Sequence, residues 1–193
     1  WLTFGNAVEL EQGRAVMERA LELGVNFLDS ANAYAGGRCE QQWGEILKGK
    51  LRSSFVLATK VFFPMGKGPN DRGLSRKHIM EQCHASLKRL QTDYIDLYQC
   101  HRHDPDVPLE ETIRAIDDLI RQGKVLYWGF SQWPAEVIEQ ALALCDKRGF
   151  DRPRGSQPSY SLLQRDIEER VMPLCHANGI GQVVYSPLAQ GIL

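Results

Sequence analysis

Short apolar runs alternate with longer amphipathic stretches along the whole chain. The apolar runs are rich in β-branched and aromatic residues, a composition that favours buried β-strands. The clearest of them are residues 25–28, 54–59, 94–100 and 124–130. Weaker strands are predicted at residues 156–160 and 180–185, and residues 1–4 are predicted to be the end of an earlier strand.

The amphipathic stretches between these runs predict α-helices with ordinary end signals. The predicted helices cover residues 11–23, 38–50, 75–90, 108–122, 134–147 and 165–178. Gly24 and Gly123 stand where a C-terminal glycine ends a helix, and Ser75 stands where an N-cap begins one. Pro173 is expected to interrupt the last helix.

Strict alternation of strands and helices with short connections predicts a parallel sheet covered by helices. No GxGxxG motif follows a strand, which makes a doubly wound dinucleotide-binding fold the weaker interpretation. We therefore expect an α/β fold, namely a (β/α)8 TIM barrel of which this chain covers about strands 1–7. Residues 1–193 are expected to be a single barrel domain that is incomplete at both ends.

Composition excludes several classes of function. The chain has 193 residues, a net charge of −1 and no basic block, which argues against nucleic-acid binding. No apolar stretch is long enough to cross a bilayer. The five cysteines are scattered and lack CxxC spacing, which predicts reduced thiols and a cytoplasmic location. His101 and His103 lie near Cys100 without a convincing third ligand, so no metal is predicted.

Polar side chains follow the clearest apolar runs. Asp29, Lys60, His101 and Ser131 each come directly after one of them. If the strands are parallel, these groups line one rim of the sheet, and that rim carries the chemistry of α/β barrels. The sequence therefore predicts a site at this rim.

Several separate segments resemble the aldo-keto reductase family. In residues 29–34, an aspartate precedes a tyrosine by five positions, as in the family signature. The other segments that match in order are residues 87–97, 128–131 and 185–191. Residues 74–79 and 130–133 are similar to the branch that contains bacterial reductases and potassium-channel β subunits.

This resemblance implies a catalytic tetrad and a reaction. Tyr34 would donate the proton when an aldehyde or ketone is reduced to an alcohol. Lys60 would lower the pKa of Tyr34 from its ordinary value of about 10, and Asp29 would pair with Lys60. His101 would donate a hydrogen bond that orients the substrate carbonyl.

The resemblance also implies NADPH as the cofactor. Ser131 and Gln157 would bind the nicotinamide carboxamide, and Tyr185 would stack on the nicotinamide ring. The loop 186–191 would wrap the pyrophosphate. The full set of implied cofactor-binding residues is Trp1, Asp29, Ser131, Gln132, Gln157, Tyr185, Ser186, Leu188 and Gly191. The preference for NADPH over NADH is implied only by the cofactor that members of this family usually bind.

Two alternatives stay open beside this enzyme. One is a non-catalytic redox-sensing subunit that binds nicotinamide, similar to potassium-channel β subunits, although His101 favours an active enzyme. The other is an unrelated barrel enzyme such as an isomerase, for which Gly191 is thin support. Phe62, Phe63 and Met65 indicate an apolar wall that suits aromatic or aliphatic aldehydes. A small carbonyl substrate is the expected partner, with no nucleic acid or membrane, and a homo-oligomer is left open.

Overall fold

The structure is a computed structural model that describes residues 4–193. Its sheet has six parallel strands that lie side by side in chain order. They are β1 (Phe27–Asp29), β2 (Val56–Val61), β3 (Ile95–Cys100), β4 (Val125–Ser131), β5 (Gly155–Gln157) and β6 (Gly181–Gln182). Neighbouring parallel strands need crossover connections, and helices supply them here. The predicted α/β fold is confirmed.

Six helices surround this sheet. They are α1 (Leu10–Glu22), α2 (Arg38–Leu47), α3 (Arg76–Leu90), α4 (Leu109–Arg121), α5 (Ala135–Arg148) and α6 (Val171–Ala177). The predicted N-cap is confirmed, because the Ser75 hydroxyl accepts a hydrogen bond from the His78 backbone N–H at 3.3 Å. Among residues 4–193, no helix is both long and apolar enough to cross a membrane.

The structure differs from the sequence prediction mainly after residue 155. The helix predicted at 165–178 is a short 3₁₀ turn, Asp166–Glu168, followed by α6. Pro173 lies in the first turn of α6, where its missing N–H needs no helical partner, so it begins the helix instead of interrupting it. The strand predicted at 180–185 is reduced to β6 and one bridge between Ser159 and Tyr185.

Two apolar clusters hold the helices against the sheet. The larger one surrounds Trp128, which is 1% exposed and donates its indole N–H to the Asp151 carbonyl at 2.7 Å. The smaller one surrounds Trp43 and Met17 beneath α1 and α2. Both tryptophans are buried and form part of the apolar core.

A buried polar network fixes β2 just before Lys60. The Glu40 carboxylate on α2 is fully buried, accepts a hydrogen bond from Thr59 and pairs with Arg89 on α3 at 2.7 Å. A buried carboxylate is tolerated only when it is paired and hydrogen-bonded, as this one is. The network therefore ties two helices to the strand that carries Lys60.

A close backbone approach aligns β4 with β5. A Cβ atom on Gly129 would lie 2.4 Å from the Gly155 carbonyl oxygen, so only glycine fits at position 129. Two residues later, the register pairs Ser131 with Gln157. The contact between two glycines thus sets these polar residues side by side at the ends of their strands.

Candidate active site

The carboxyl ends of five strands meet at one cleft of about 660 Å³. Asp29, Ser131 and Gln157 are the last residues of β1, β4 and β5, and His101 follows β3 directly. The lining residues are Phe27, Asp29, Tyr34, His101, Arg102, Ser131, Gln157, Val183, Val184, Tyr185 and Ser186. Parallel strands bring their ends to one edge, which is why residues far apart in sequence share this cleft.

Lys60 lies beneath the cleft and is fully buried. Its Nζ is 2.5 Å from Asp29 Oδ2, donates to the Ser30 carbonyl at 2.7 Å and lies 3.4 Å from Tyr34 Oη. Burial lowers the pKa of Lys60, and the Asp29 charge opposes this effect. Lys60 is not itself in the cleft lining, so it acts there through the groups that it holds.

Three donors fix the Asp29 carboxylate. Lys60 holds Oδ2, while Oδ1 accepts from Gln99 Nε2 at 3.2 Å and from Gln157 Nε2 at 3.0 Å. Gln99 lies on β3, paired in register with Lys60. The carboxylate therefore links β1, β2, β3 and β5 at the base of the cleft, and its orientation is set by all of them.

Tyr34 enters the cleft from a tight turn after β1. Its 3₁₀ turn, Tyr34–Gly37, contains Ala35, Gly36 and Gly37 at φ of 51°, 64° and 94°. The Tyr34 ring lies 5.0 Å from Lys60 Nζ. A left-handed backbone favours glycine, and Gly36 and Gly37 supply it in the turn that follows Tyr34.

The pKa of Tyr34 moves in the direction opposite to the sequence expectation. Burial and then the Asp29 charge raise it well above 10.0. Lys60 Nζ lies closer to Asp29 Oδ2, at 2.5 Å, than to Tyr34 Oη, at 3.4 Å. The net pKa shift of Tyr34 in the free protein is therefore upward, and the expected effect of Lys60 on Tyr34 stays a prediction.

His101 is held between aromatic rings. Its ring centroid lies 5.7 Å from that of Tyr34 and 4.8 Å from that of Phe63, both edge to face. Burial, followed by the charges of Lys60 and Arg102, lowers the pKa of His101 to about 3. The ring is therefore neutral at neutral pH, with one N–H donor and one acceptor nitrogen. Its buried Nδ1 has no hydrogen-bond partner among residues 4–193.

Hydroxyl, amide and aromatic groups line the opposite side of the cleft. Ser131 Oγ donates to the Gln157 backbone carbonyl at 2.7 Å and accepts from Arg102 Nη1 at 3.4 Å, which leaves one lone pair of the hydroxyl for a ligand. Tyr185 and Ser186 complete this side. A carboxamide needs donors and acceptors, and a flat heterocycle needs an apolar face, so these groups fit the nicotinamide end of a dinucleotide.

Comparison with known proteins decides the family. The profile of the Aldo/keto reductase family matches residues 1–193. The chain belongs to the aldo/keto reductase family. The family fold is a (β/α)8 barrel, and the six parallel strands described here are part of one.

Named relatives come from plants and a yeast. An Arabidopsis thaliana protein named "Probable voltage-gated potassium channel subunit beta" is 43% identical over all of this chain. An Oryza sativa protein of the same name is 42% identical, and a Schizosaccharomyces pombe protein named "Putative voltage-gated potassium channel subunit beta" is 45% identical. The chain covers 60%, 60% and 58% of these relatives, so it spans about three fifths of their length.

Three predicted cofactor residues of this aldo/keto reductase chain lie away from the cleft lining. Gln132 Oε1 instead accepts from the Ser159 backbone N–H at 3.1 Å. Leu188 is 64% exposed, and its carbonyl accepts the Gly191 N–H at 2.9 Å within a local turn. The Gly191 N–H, which was expected to face the pyrophosphate, is therefore hydrogen-bonded within its own turn. Trp1 lies outside the described residues.

Two residues at the site were missed by the sequence analysis. Gln99 donates a hydrogen bond to Asp29. The sequence feature that could have indicated this role is an amide near the end of an otherwise apolar strand. Arg102 lines the cleft beside His101, and its signal was its position directly after the same strand. No group of three or more His, Cys, Asp or Glu side chains within residues 4–193 could hold a metal ion.

The lowered pKa of His101 predicts acid sensitivity. The unfolded chain protonates this ring near its ordinary pKa of 6.5, whereas the folded protein resists protonation down to about 3. Stability is therefore complete above pH 6.5 and falls as pH drops toward 3. At about pH 5, His101 should account for a loss of about 2 kcal/mol in the free energy of unfolding.

Urea unfolding of His101→Gln and the unmodified protein at neutral pH and at about pH 5 checks this loss. The variant should lose about 2 kcal/mol less on acidification. His176→Gln, at an exposed position on α6, is the control and should behave like the unmodified protein. Equal acid losses in His101→Gln and the unmodified protein would contradict a neutral buried ring.

Proposed function

We propose that this protein is an NADPH-dependent oxidoreductase that reduces aldehydes or ketones to alcohols. The observation that carries the proposal is the contact between a protonated phenol and a buried ammonium beside a neutral imidazole. Tyr34 Oη is 3.4 Å from Lys60 Nζ, and the Tyr34 ring meets His101 edge to face. These three groups can donate a proton, stabilise the resulting charge and hold a carbonyl oxygen.

The chain's own residues supply the proton half of this reaction. When bound, a reduced nicotinamide supplies a hydride, which brings both electrons to the carbonyl carbon. The carbonyl oxygen takes the Tyr34 proton and becomes a hydroxyl, which leaves a phenolate at Tyr34. The Lys60 ammonium stabilises that phenolate until solvent returns a proton, and the neutral His101 N–H donates to the carbonyl oxygen.

The raised pKa makes Tyr34 a weaker acid in the free protein, so proton donation depends on stabilising the phenolate that it leaves. A phenol that stays protonated at neutral pH is ready to donate when negative charge develops on the carbonyl oxygen. Its pKa is raised by burial and by Asp29 in the free protein. Lys60 therefore contributes by stabilising the phenolate after transfer, a charge that is present only late in the reaction.

Cofactor binding is proposed for the cleft-facing residues Ser131, Gln157, Tyr185 and Ser186. Family membership supports a nicotinamide cofactor in general, and the choice of NADPH is our proposal. Phe62 and Phe63 contact each other edge to face at 5.3 Å, and Phe63 also packs on His101. Neither ring is in the cleft lining, so Phe63, through its contact with the cleft residue His101, is the ring that we propose to meet the body of an aldehyde substrate.

The cellular location and the partners of the protein are also proposals. The five cysteines are scattered along the sequence and lack CxxC spacing, which supports a reducing compartment such as the cytoplasm. We propose small carbonyl compounds as substrates and no nucleic-acid partner, in keeping with the net charge of −1.

A second candidate is a nicotinamide-binding regulatory subunit with little turnover. The names of the three relatives favour it, because each is called a potassium channel subunit beta. Under this candidate the cleft would bind cofactor and report its redox state to a channel partner. The neutral His101 beside Tyr34 supports the enzyme instead, since a sensor has no need for a carbonyl-orienting donor.

Two measurements on the same sample separate these candidates. Tryptophan fluorescence is titrated with NADPH, and NADPH consumption is followed with a panel of aldehydes and ketones. The enzyme predicts quenching of fluorescence together with carbonyl-dependent consumption. Quenching without consumption would support the regulatory subunit, and the absence of both would contradict both candidates. Both measurements use the natural full-length protein.

A further inference from the structure

Arg102 is a cationic side chain in the cleft that the reaction above does not use. It follows His101, is partly buried and lines the cleft with Tyr34. Its Nη1 donates to the His101 carbonyl at 2.5 Å and lies 3.4 Å from Ser131 Oγ. Its guanidinium carbon lies 5.5 Å from the Phe63 ring centroid.

The Arg102 guanidinium has no carboxylate partner within 4.0 Å among residues 4–193. The other partly buried arginines behave differently, because Arg52 pairs with Asp96 at 2.5 Å and Arg89 pairs with Glu40 at 2.7 Å. Within the described part of the chain, the hydrogen bonds of Arg102 use Nη1 alone. A guanidinium has five N–H donors in a planar fork, so most donors of Arg102, a residue of the cleft lining, have no acceptor within residues 4–193.

The charge of Arg102 also reaches the groups that would hold the carbonyl. Burial and Lys60 lower the pKa of His101, and Arg102 lowers it further. Burial raises the pKa of Tyr34, and Arg102 acts against that rise. Arg102, Tyr34 and His101 all line the same cleft, so one bound molecule could contact all three groups.

We infer that Arg102 binds a carboxylate carried by the carbonyl substrate, so that the substrate class is aldehydes or ketones with an acidic group. This inference rests on the proposed function and names its substrate class. A planar guanidinium matches a carboxylate through two parallel hydrogen bonds. Phe63 contacts both Arg102 and His101 and would pack against the body of the same molecule.

The test compares acids with their neutral esters. The probes are 2-, 3- and 4-carboxybenzaldehyde and the three corresponding methyl esters, which keep the aldehyde and the ring. For at least one acid–ester pair, Arg102→Met should lower the ratio of kcat/KM for the acid to kcat/KM for the ester about 10- to 100-fold. Arg102→Lys keeps the charge without the fork and should retain part of the preference. Arg19→Met removes an exposed arginine on α1 and is the matched control.

A second readout does not need turnover. Calorimetric titration of the protein with the preferred acid, without cofactor, should show binding that weakens about tenfold or more in Arg102→Met. If the protein binds the acid through Arg102 but reduces no carbonyl, the proposed function fails and the assignment of Arg102 stands. If aldehydes are reduced but the acid-to-ester ratio is unchanged in Arg102→Met, the inference about Arg102 is overturned and the proposed function stands.

Discussion

Replacing Tyr34 with phenylalanine is expected to lower kcat/KM for aldehyde reduction about 100- to 10,000-fold, the range typical of a lost general acid. The substitution removes only the hydroxyl. The ring that contacts His101 at 5.7 Å and lies 5.0 Å from Lys60 is retained. The loss should therefore reflect the missing proton and not a change in packing, and steady-state kinetics with a good aldehyde substrate measure it.

Tyr98→Phe is the matched control for this experiment. Tyr98 is fully buried on β3, and its hydroxyl makes one long contact with the Ile79 carbonyl at 3.5 Å. It does not line the cleft, so its removal should leave kcat/KM nearly unchanged. The affinity of Tyr34→Phe for NADPH should also stay close to normal. A Tyr34→Phe protein that retained a third or more of its kcat/KM would remove Tyr34 as the proton donor.

The second large effect concerns stability and follows from the burial of Lys60. Asp29→Asn leaves the ammonium, which is fully buried, without its counter-ion. Breaking a buried pair by removing one partner costs about 3–5 kcal/mol, and the lower end applies because Asp29 is itself part-exposed. We expect the free energy of unfolding to fall by about 3 kcal/mol in urea denaturation at neutral pH.

The double variant Asp29→Asn, Lys60→Met should recover most of this loss. It removes the buried charge as well as its partner, and the coupling between the two sites is measured by a double-mutant cycle. Asp146→Asn provides the control, since it breaks the surface pair with Arg152 and should leave the free energy of unfolding nearly unchanged. A cycle in which the two substitutions simply add would contradict the coupling of Asp29 with Lys60.

The single variant Asp29→Asn also has a predicted response to alkaline pH. Burial lowers the pKa of Lys60 in the folded protein below its ordinary value of 10.5. Between these two pKa values, the unfolded chain therefore binds more protons than the folded protein does. Stability contributed through Lys60 therefore rises with pH across that window. Asp29→Asn lowers the pKa of Lys60 further and widens the window. The variant should be less impaired at about pH 9.5 than at neutral pH, and the Lys60→Met double variant should lose this difference.

The sequence could predict the strand-end residues because one physical rule governs them. Apolar runs mark buried strands, and parallel strands end at one edge, so Asp29, His101 and Ser131 had to lie at the same rim. The loop residues follow no such rule. Gln132 turns toward Ser159 and Gly191 bonds within its own turn because of local backbone geometry, with φ of 56° and 91°. A sequence pattern does not encode such angles.

The electrostatics of the site depend on burial, which the sequence does not state. The residue types at positions 29, 34 and 60 suggested an ammonium that strengthens the phenol as an acid. The structure shows that desolvation dominates at Tyr34 and that Lys60 lies closer to Asp29 than to Tyr34. Arg102 escaped notice for a related reason, since an arginine after a strand becomes informative only when its guanidinium is known to face the cleft.

Transfer of a label tests the central claim most directly. The protein is incubated with an aldehyde and with NADPH that carries deuterium at both C4 positions, and the alcohol is examined by mass spectrometry and proton NMR. We predict one deuterium on the carbinol carbon of the alcohol and none in the Tyr34→Phe sample beyond trace turnover. An alcohol formed without deuterium, or no alcohol despite bound cofactor, would contradict carbonyl reduction at this cleft.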